Sequence, residues 1–191
     1  MPSTKERILD ATAELFRRYG YTGTGLKQIV ATANAPFGSL YHFFPNGKEQ
    51  LGEEVIRWSG DVYLQLIAAV CDPAPDVVTA IGDFFAGAAA HLRETDYADA
   101  CPIATIALEV ASVSEPLRQA TADVFALWIA DITARFEAVG VDPRRARELG
   151  FEALGALEGA FVLSRAMRST DALEIGGRAV VASVRAAVPG G

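Results

Sequence analysis

The sequence predicts an all-α protein of about nine helices, with a three-helix helix-turn-helix head on a helical body. Three observations carry that prediction. Apolar residues recur three and four apart along most of the chain, and strand-like alternation is almost absent. Cap-forming Ser, Asp, Asn or Thr precede the periodic runs, and Gly or Pro follows them. With 191 residues, 51% of them hydrophobic, the chain is long and apolar enough for a sizeable core in one or two domains. No internal repeat or low-complexity segment interrupts the pattern.

The first helix opens at Ser3, where Glu6 three residues on completes a capping box. Ile8, Ala11, Leu15, Phe16 and Tyr19 form its apolar stripe, and Gly20 ends it. Arg17 and Arg18 suit the negative end of its dipole and are within reach of a phosphate. Two short helices follow. Thr24 is the expected N-cap of the second, whose inner face is Leu26, Ile29, Val30 and Ala33. Asn34 provides the turn, and Pro36 suits the first turn of the third helix, which ends near Pro45. Leu40 and Phe44, four apart, point inward, leaving Ser39, Tyr41 and His42 to face elsewhere. A short helix with a small residue, a phenol and an imidazole outside fits a recognition helix in a major groove.

Asn46 with Glu49 caps a fourth helix reaching about Val70. It carries two apolar rows, one through Leu51, Val55, Trp58, Val62 and Leu66, the other through Ile56, Tyr63, Ile67 and Val70, so it connects head to body. After the Asp72-Pro73-Ala74-Pro75 break, a fifth helix runs from about Pro75 to Arg93 with Val78, Ile81, Phe85, Ala88 and Leu92 on one side. Cys101-Pro102 begins a sixth, to Ala111. Ser114 caps a seventh, to Gly140, apolar over much of its girth and therefore central. Asp142-Pro143 opens the eighth, to about Arg168, and the ninth spans about Thr170 to Val188. The expected division is a head at 1–48 and a body at 49–191.

Charge sorts the function classes. The total of −7 argues against a general nucleic-acid coat. Up to Gln50, six Lys and Arg face four Asp and Glu, a surplus of +2 that leaves −9 for the remainder. That asymmetry suits a DNA-reading head on an acidic body. Cys71 and Cys101 are too few for a disulfide framework, and with only His42 and His91 no zinc shell is completed. The charged N-terminus lacks a signal-peptide core, and no apolar run reaches transmembrane length. The expectation is a cytoplasmic protein with free thiols, no metal or cofactor and no membrane partner.

Gly38-Ser39-Leu40-Tyr41-His42-Phe43-Phe44-Pro45, followed by Lys48-Glu49-Gln50-Leu51, resembles the helix-turn-helix signature of TetR/AcrR-type repressors. Asn46-Gly47-Lys48-Glu49-Gln50-Leu51 and Cys101-Pro102-Ile103-Ala104 resemble the LmrA/YxaF-like branch. Phe37 and Phe43 depart from the pattern, standing where relatives often carry Lys and His. The resemblance implies a ligand-responsive DNA-binding regulator, a repressor released from its operator by an effector, and assigns the Tyr41 hydroxyl to phosphate. The residues themselves supply other roles. Thr24 and Lys27 stand where helix two can meet phosphate, and Lys48 adds charge to the free N–H groups at the start of helix four. Pro36 and Gly38 shape the approach to the groove, Phe37 can press on a thymine methyl, and Ser39 and His42 can reach base edges or phosphate.

One recognition helix reads too few base pairs, so a homodimer on a palindromic operator is expected. Its interface falls on helices eight and nine, at Leu154, Gly155, Glu158, Gly159, Val162, Val180 and Val184, the two glycines allowing close approach. A small, largely apolar effector, planar and flavonoid-like by the branch resemblance, is expected in the body. Candidate lining groups are Trp58, Tyr63, Phe84 and Phe85, then Thr105, Glu109, Phe125 and Trp128, with His91 nearer the polar loop. Two other classes compete. One is an enzyme using Cys101 as nucleophile and His91 as base, although nothing fixes their geometry. The other is a helical oligomerisation module that does not read sequence.

Overall fold

Among the described residues, 2–99 and 101–190, this computed structural model forms nine α-helices and no strand. They are α1 (Thr4–Tyr19), α2 (Leu26–Thr32), α3 (Phe37–Phe43), α4 (Lys48–Cys71), α5 (Val77–Glu94), α6 (Pro102–Val110), α7 (Glu115–Ala138), α8 (Pro143–Met167) and α9 (Asp171–Ala187). The all-α expectation holds. The chain packs as two units: Met1–Val62 with Cys101–Val124, and Tyr63–Ala100 with Phe125–Gly191. α4 and α7 each contribute residues to both units, and α6 belongs to the first.

In the first unit α1 begins as the sequence dictates. The Ser3 hydroxyl accepts from the Glu6 N–H at 3.2 Å, and the Glu6 carboxylate accepts from the Ser3 N–H at 2.6 Å. That second bond holds the Glu6 carboxyl below its usual value. Ile8, Ala11, Leu15 and Phe16 are buried, but Tyr19 is exposed, since the last turn of α1 carries it past the packed face. Gly20 ends the helix at φ 74°, its N–H bonded to the Phe16 carbonyl. Ile29, Val30 and Ala33 of the α2 segment are buried beside α1, and Leu40 and Phe44 close the head from the α3 side. The Arg7 guanidinium donates to the carbonyl of Asn34, whose left-handed φ of 47° makes the α2–α3 turn.

Two expected caps are replaced, and Pro36 stands one position earlier than expected. Gly25, not Thr24, is the N-cap of α2, because the buried Thr24 hydroxyl donates back to the Gly20 carbonyl at 2.7 Å. Pro36 is the N-cap of α3, one position before the first turn. At the start of α4 the Asn46 N–H donates to the Gln50 side chain, while the Glu49 carboxylate accepts from the Ser114 hydroxyl at 2.7 Å.

The second unit is built on α5, α8 and α9. Ile81, Phe85, Leu92, Leu149, Leu157, Leu173, Val180 and Val184 form its buried core, with Phe136 of α7. Phe85 packs so tightly on Gly177 that a Cβ there would lie 2.8 Å from the Cβ of Phe85. Asp142 caps α8 by accepting from the Arg144 and Arg145 N–H groups, as the Asp-Pro pair predicts.

Candidate nucleic-acid interface

The α3 surface sorts its residues as the sequence predicts. Leu40 and Phe44 are fully buried and lock the helix onto the head, so the opposite side is committed to solvent. Phe37 (43% exposed), Gly38, Tyr41 (49% exposed) and His42 lie on that side, with Ser39 half-buried at its margin. The Phe37 and Tyr41 rings meet edge-on at 5.8 Å, and His42 leans on Phe43 at 4.9 Å. A Cβ on Gly38 would meet nothing within 4 Å, which leaves the backbone there open to close approach. Phenol, imidazole and hydroxyl on one small exposed face can donate and accept toward base edges and phosphates.

The expected phosphate contacts divide. Lys27 is exposed on α2 and, among the described residues, makes no ion pair or hydrogen bond. Thr24 is not available: its hydroxyl is buried and spent on Gly20. Lys48 is turned onto the α1–α2 corner, where its Nζ donates to the Tyr21 carbonyl at 2.6 Å and lies 4.4 Å from the centre of the Tyr21 ring. Burial lowers the Lys48 pKa, and the Glu109 charge partly opposes that shift. Lys5 is paired with Glu54 at 2.7 Å, and Arg18 faces Glu14 at 3.6 Å.

The corner that receives Lys48 was not legible as part of the site. Tyr21 is held from two sides: Lys48 takes its carbonyl, and Glu109 of α6 accepts from the Tyr21 N–H at 3.0 Å and the Thr22 N–H at 2.7 Å. Burial, then the Glu49 charge, raises the Tyr21 phenol pKa. The available signal is that Glu109 is the one charged residue in the apolar helix PIATIALEV.

The effector-pocket candidates fall in both units. Trp58, Thr105 and Glu109 belong to the first. Trp58 lines an open cleft of about 520 Å³ with Arg7, Asp10, Glu14 and Asn34. The Thr105 hydroxyl donates to the Cys101 carbonyl, and Glu109 is committed to the corner, so neither is a free polar anchor. Tyr63, Phe84, Phe85, Phe125 and Trp128 belong to the second. Tyr63 and Phe125 both contact the ring of buried Trp128, at 5.7 and 6.0 Å, whereas Phe85 is core beside Gly177. His91 is exposed and faces buried Asp99 at 3.7 Å. Cys101 is buried and caps α6, its sulfur accepting from the Ala104 N–H at 3.5 Å.

The interface candidates also divide. Val180 and Val184 are buried in the core among α5, α8 and α9, and Leu154 of α8 is buried as well, so these three present little surface to a partner. Gly155, Gly159 and Val162 (56% exposed) are on the open side of α8, with Glu158 half-buried beside them. Phe151, Leu163 and Met167 of α8 and Ile175 of α9 are also exposed.

No helix is long and apolar enough to cross a membrane, and no cluster of three metal-ligating side chains occurs, among the described residues. The family described as bacterial regulatory proteins, tetR family, matches residues 8–55, and the family of the C-terminal domain of LmrA/YxaF-like transcriptional regulators matches 77–179. The chain is 38% identical to the HTH-type transcriptional regulator YxaF of Bacillus subtilis over 161 residues, 84% of each chain. It is 34% identical to LmrA of the same organism over 173 residues, covering 90% of this chain and 92% of the relative. The crystal structure of a regulatory protein TetR from Rhodobacter sphaeroides shares the fold, with TM-score 0.83 at 20% identity over 93% of this chain and 97% of that one. Matched at both ends by these families and along most of its length by these relatives, the chain belongs to the TetR family of transcriptional regulators, in its LmrA/YxaF-like branch.

Proposed function

We propose that this TetR-family transcriptional regulator is a repressor that binds a palindromic operator as a homodimer in the cytoplasm and is released by a small hydrophobic effector. The observation that carries the reading is the two-sided α3: Leu40 and Phe44 fully buried, Phe37, Gly38, Tyr41 and His42 outside. That face reads bases, and exposed Lys27 meets phosphate. Residues 1–48 are the reading head, and the rest carries effector and partner. The interface follows the exposed row of Phe151, Gly155, Gly159 and Val162, with Glu158 at its margin. A two-fold dimer would read a palindrome whose half-sites lie about 34–36 Å apart or at multiples of that spacing.

The effector site is built on the Tyr63, Phe125 and Trp128 ring cluster, whose apolar surface suits a planar aromatic molecule. Effector binding weakens operator affinity about 5–150-fold if the coupling has an ordinary size of about 1–3 kcal/mol.

Selection of bound sequences from a random duplex pool tests the DNA reading: an inverted repeat supports it, and a pool that stays random refutes it in favour of a helical assembly module. Tryptophan fluorescence against a panel of planar aromatic compounds tests induction. A true effector quenches emission and binds less tightly with operator present, by the factor by which it weakens operator binding. A panel in which no compound does both removes the effector from the proposal.

A further inference from the structure

We propose that Glu109 is a positioning residue for DNA binding: its carboxylate on α6 clamps the α1–α2 corner and so sets the entry of α2 and the placement of Lys27 and α3. The corner, residues 20–25, has no regular backbone ladder, so its N–H groups need partners from elsewhere. One Glu109 oxygen accepts from the Tyr21 N–H at 3.0 Å and the other from the Thr22 N–H at 2.7 Å. Two bonds to one planar anion fix the direction of both amides and not only their distance. The chain is shaped to admit this anion. Gly20 adopts φ 74°, and a Cβ at that position would lie 1.9 Å from Oε1 of Glu109. Alanine at 20 is therefore strained by the positive φ and would push the Glu109 carboxylate out of this place.

The clamp extends to the reading elements through a short hydrogen-bonded chain. Tyr21, whose N–H is held by Glu109 of α6, also offers the carbonyl that accepts from Lys48 at the start of α4. The same Tyr21 carbonyl accepts from the Thr24 N–H at 3.3 Å, and the Thr24 hydroxyl ties back to Gly20 at 2.7 Å. Gly25, the next residue, is the N-cap of α2. Each link from Glu109 to the first turn of α2 is thus a hydrogen bond or a peptide bond. Glu109 touches no DNA in this scheme. It acts through the corner.

The test is amide exchange of the full-length protein by NMR, with operator affinity on a duplex selected by the wild-type protein. Wild type should protect the Tyr21 and Thr22 amides. Glu109→Gln, which keeps the size but presents one acceptor and an NH₂ where two acceptors stood, should speed their exchange about tenfold or more and leave the core amides of the second unit unchanged. Operator affinity should fall about tenfold. Glu109→Asp, still charged but one methylene short, should fall between. Unchanged exchange at both amides in Glu109→Gln overturns the clamp. Faster exchange with unchanged operator affinity overturns the positioning role. Should Glu109→Gln fail to fold, the wild-type exchange decides, because unprotected Tyr21 and Thr22 amides also overturn the clamp. The exchange readings need no DNA, so a protein that selects no duplex refutes the DNA interface and leaves the corner assignment standing.

Discussion

Lys27 and Lys48 are both lysines near helix starts, and on the proposed DNA reading their different surroundings imply different work. Lys27 is exposed and without a partner among the described residues. Lys48 spends one Nζ hydrogen on the Tyr21 carbonyl and stands over that ring. Lys27→Ala should therefore change DNA binding and not stability. Each phosphate neutralised contributes about 0.9 to the logarithmic salt slope, so a dimer lacking two such contacts has a slope shallower by about 1.8. Between about 50 and 200 mM salt, a fourfold change, wild type should lose roughly tenfold more affinity than the variant. Lys48→Met keeps the aliphatic stem and removes the charged donor. The lost hydrogen bond and ring contact are together worth about 1–3 kcal/mol, which for a chain of this size lowers Tm by about 2–12 °C. Its salt slope should stay near wild type. Electrophoretic or anisotropy titrations across salt, paired with thermal melts, read both quantities. The assignment is refuted if Lys48→Met flattens the salt slope as Lys27→Ala does while its Tm holds.

Tyr41→Phe removes one exposed hydroxyl and should weaken operator binding by about 1 kcal/mol with an unchanged melt; equal affinity would take the phenol out of the interface. At Gly159 a Cβ meets nothing within 4 Å in its own chain, so Gly159→Leu should leave each subunit folded and shift sedimentation toward monomer. Wild type sedimenting as a monomer at micromolar concentration would refute the dimer. Because the Ser3 N–H holds the Glu6 carboxyl below its usual value, the pair contributes stability above the ordinary glutamate range and loses it as pH falls through the lowered native value. Ser3→Ala, which removes the hydroxyl half of the box, should weaken that pH dependence in melts taken across the window.

What was legible in the sequence is what local physics decides. The helices follow from apolar spacing and caps, and the Ser3–Glu6 box and the Asp142-Pro143 start are where the residue types require them. The inside and outside of α3 follow from Leu40 and Phe44 four apart. What was not legible depends on partners far along the chain. Thr24 reads as a cap because its hydroxyl could accept an N–H, but burial makes it donate to Gly20. Lys48 reads as a phosphate ligand because nothing local shows the Tyr21 carbonyl 27 residues away. Val180 and Val184 read as spare apolar surface until α5 and α8 are packed on them.

On the proposed DNA reading, Phe37 and Phe43 set the kind of contact α3 can make. Phe43 is half-buried, its ring 4.9 Å from His42 and 6.4 Å from Phe44, so it supports the outward imidazole from behind. Phe37 keeps a large ring in water at the start of the helix, edge-on to Tyr41. An exposed aromatic is unfavourable in the free protein and is relieved when it covers a thymine methyl or a sugar. On the proposed DNA reading, affinity at this end of α3 then comes from apolar burial and from Tyr41 held in place. Salt screens charge contacts and leaves apolar burial largely intact. Phe37→Lys should accordingly restore a cationic contact: a steeper salt slope by about 0.9 per subunit, with tighter binding at low salt and weaker discrimination at thymine positions. An unchanged slope and unchanged base preference would place Phe37 outside the groove.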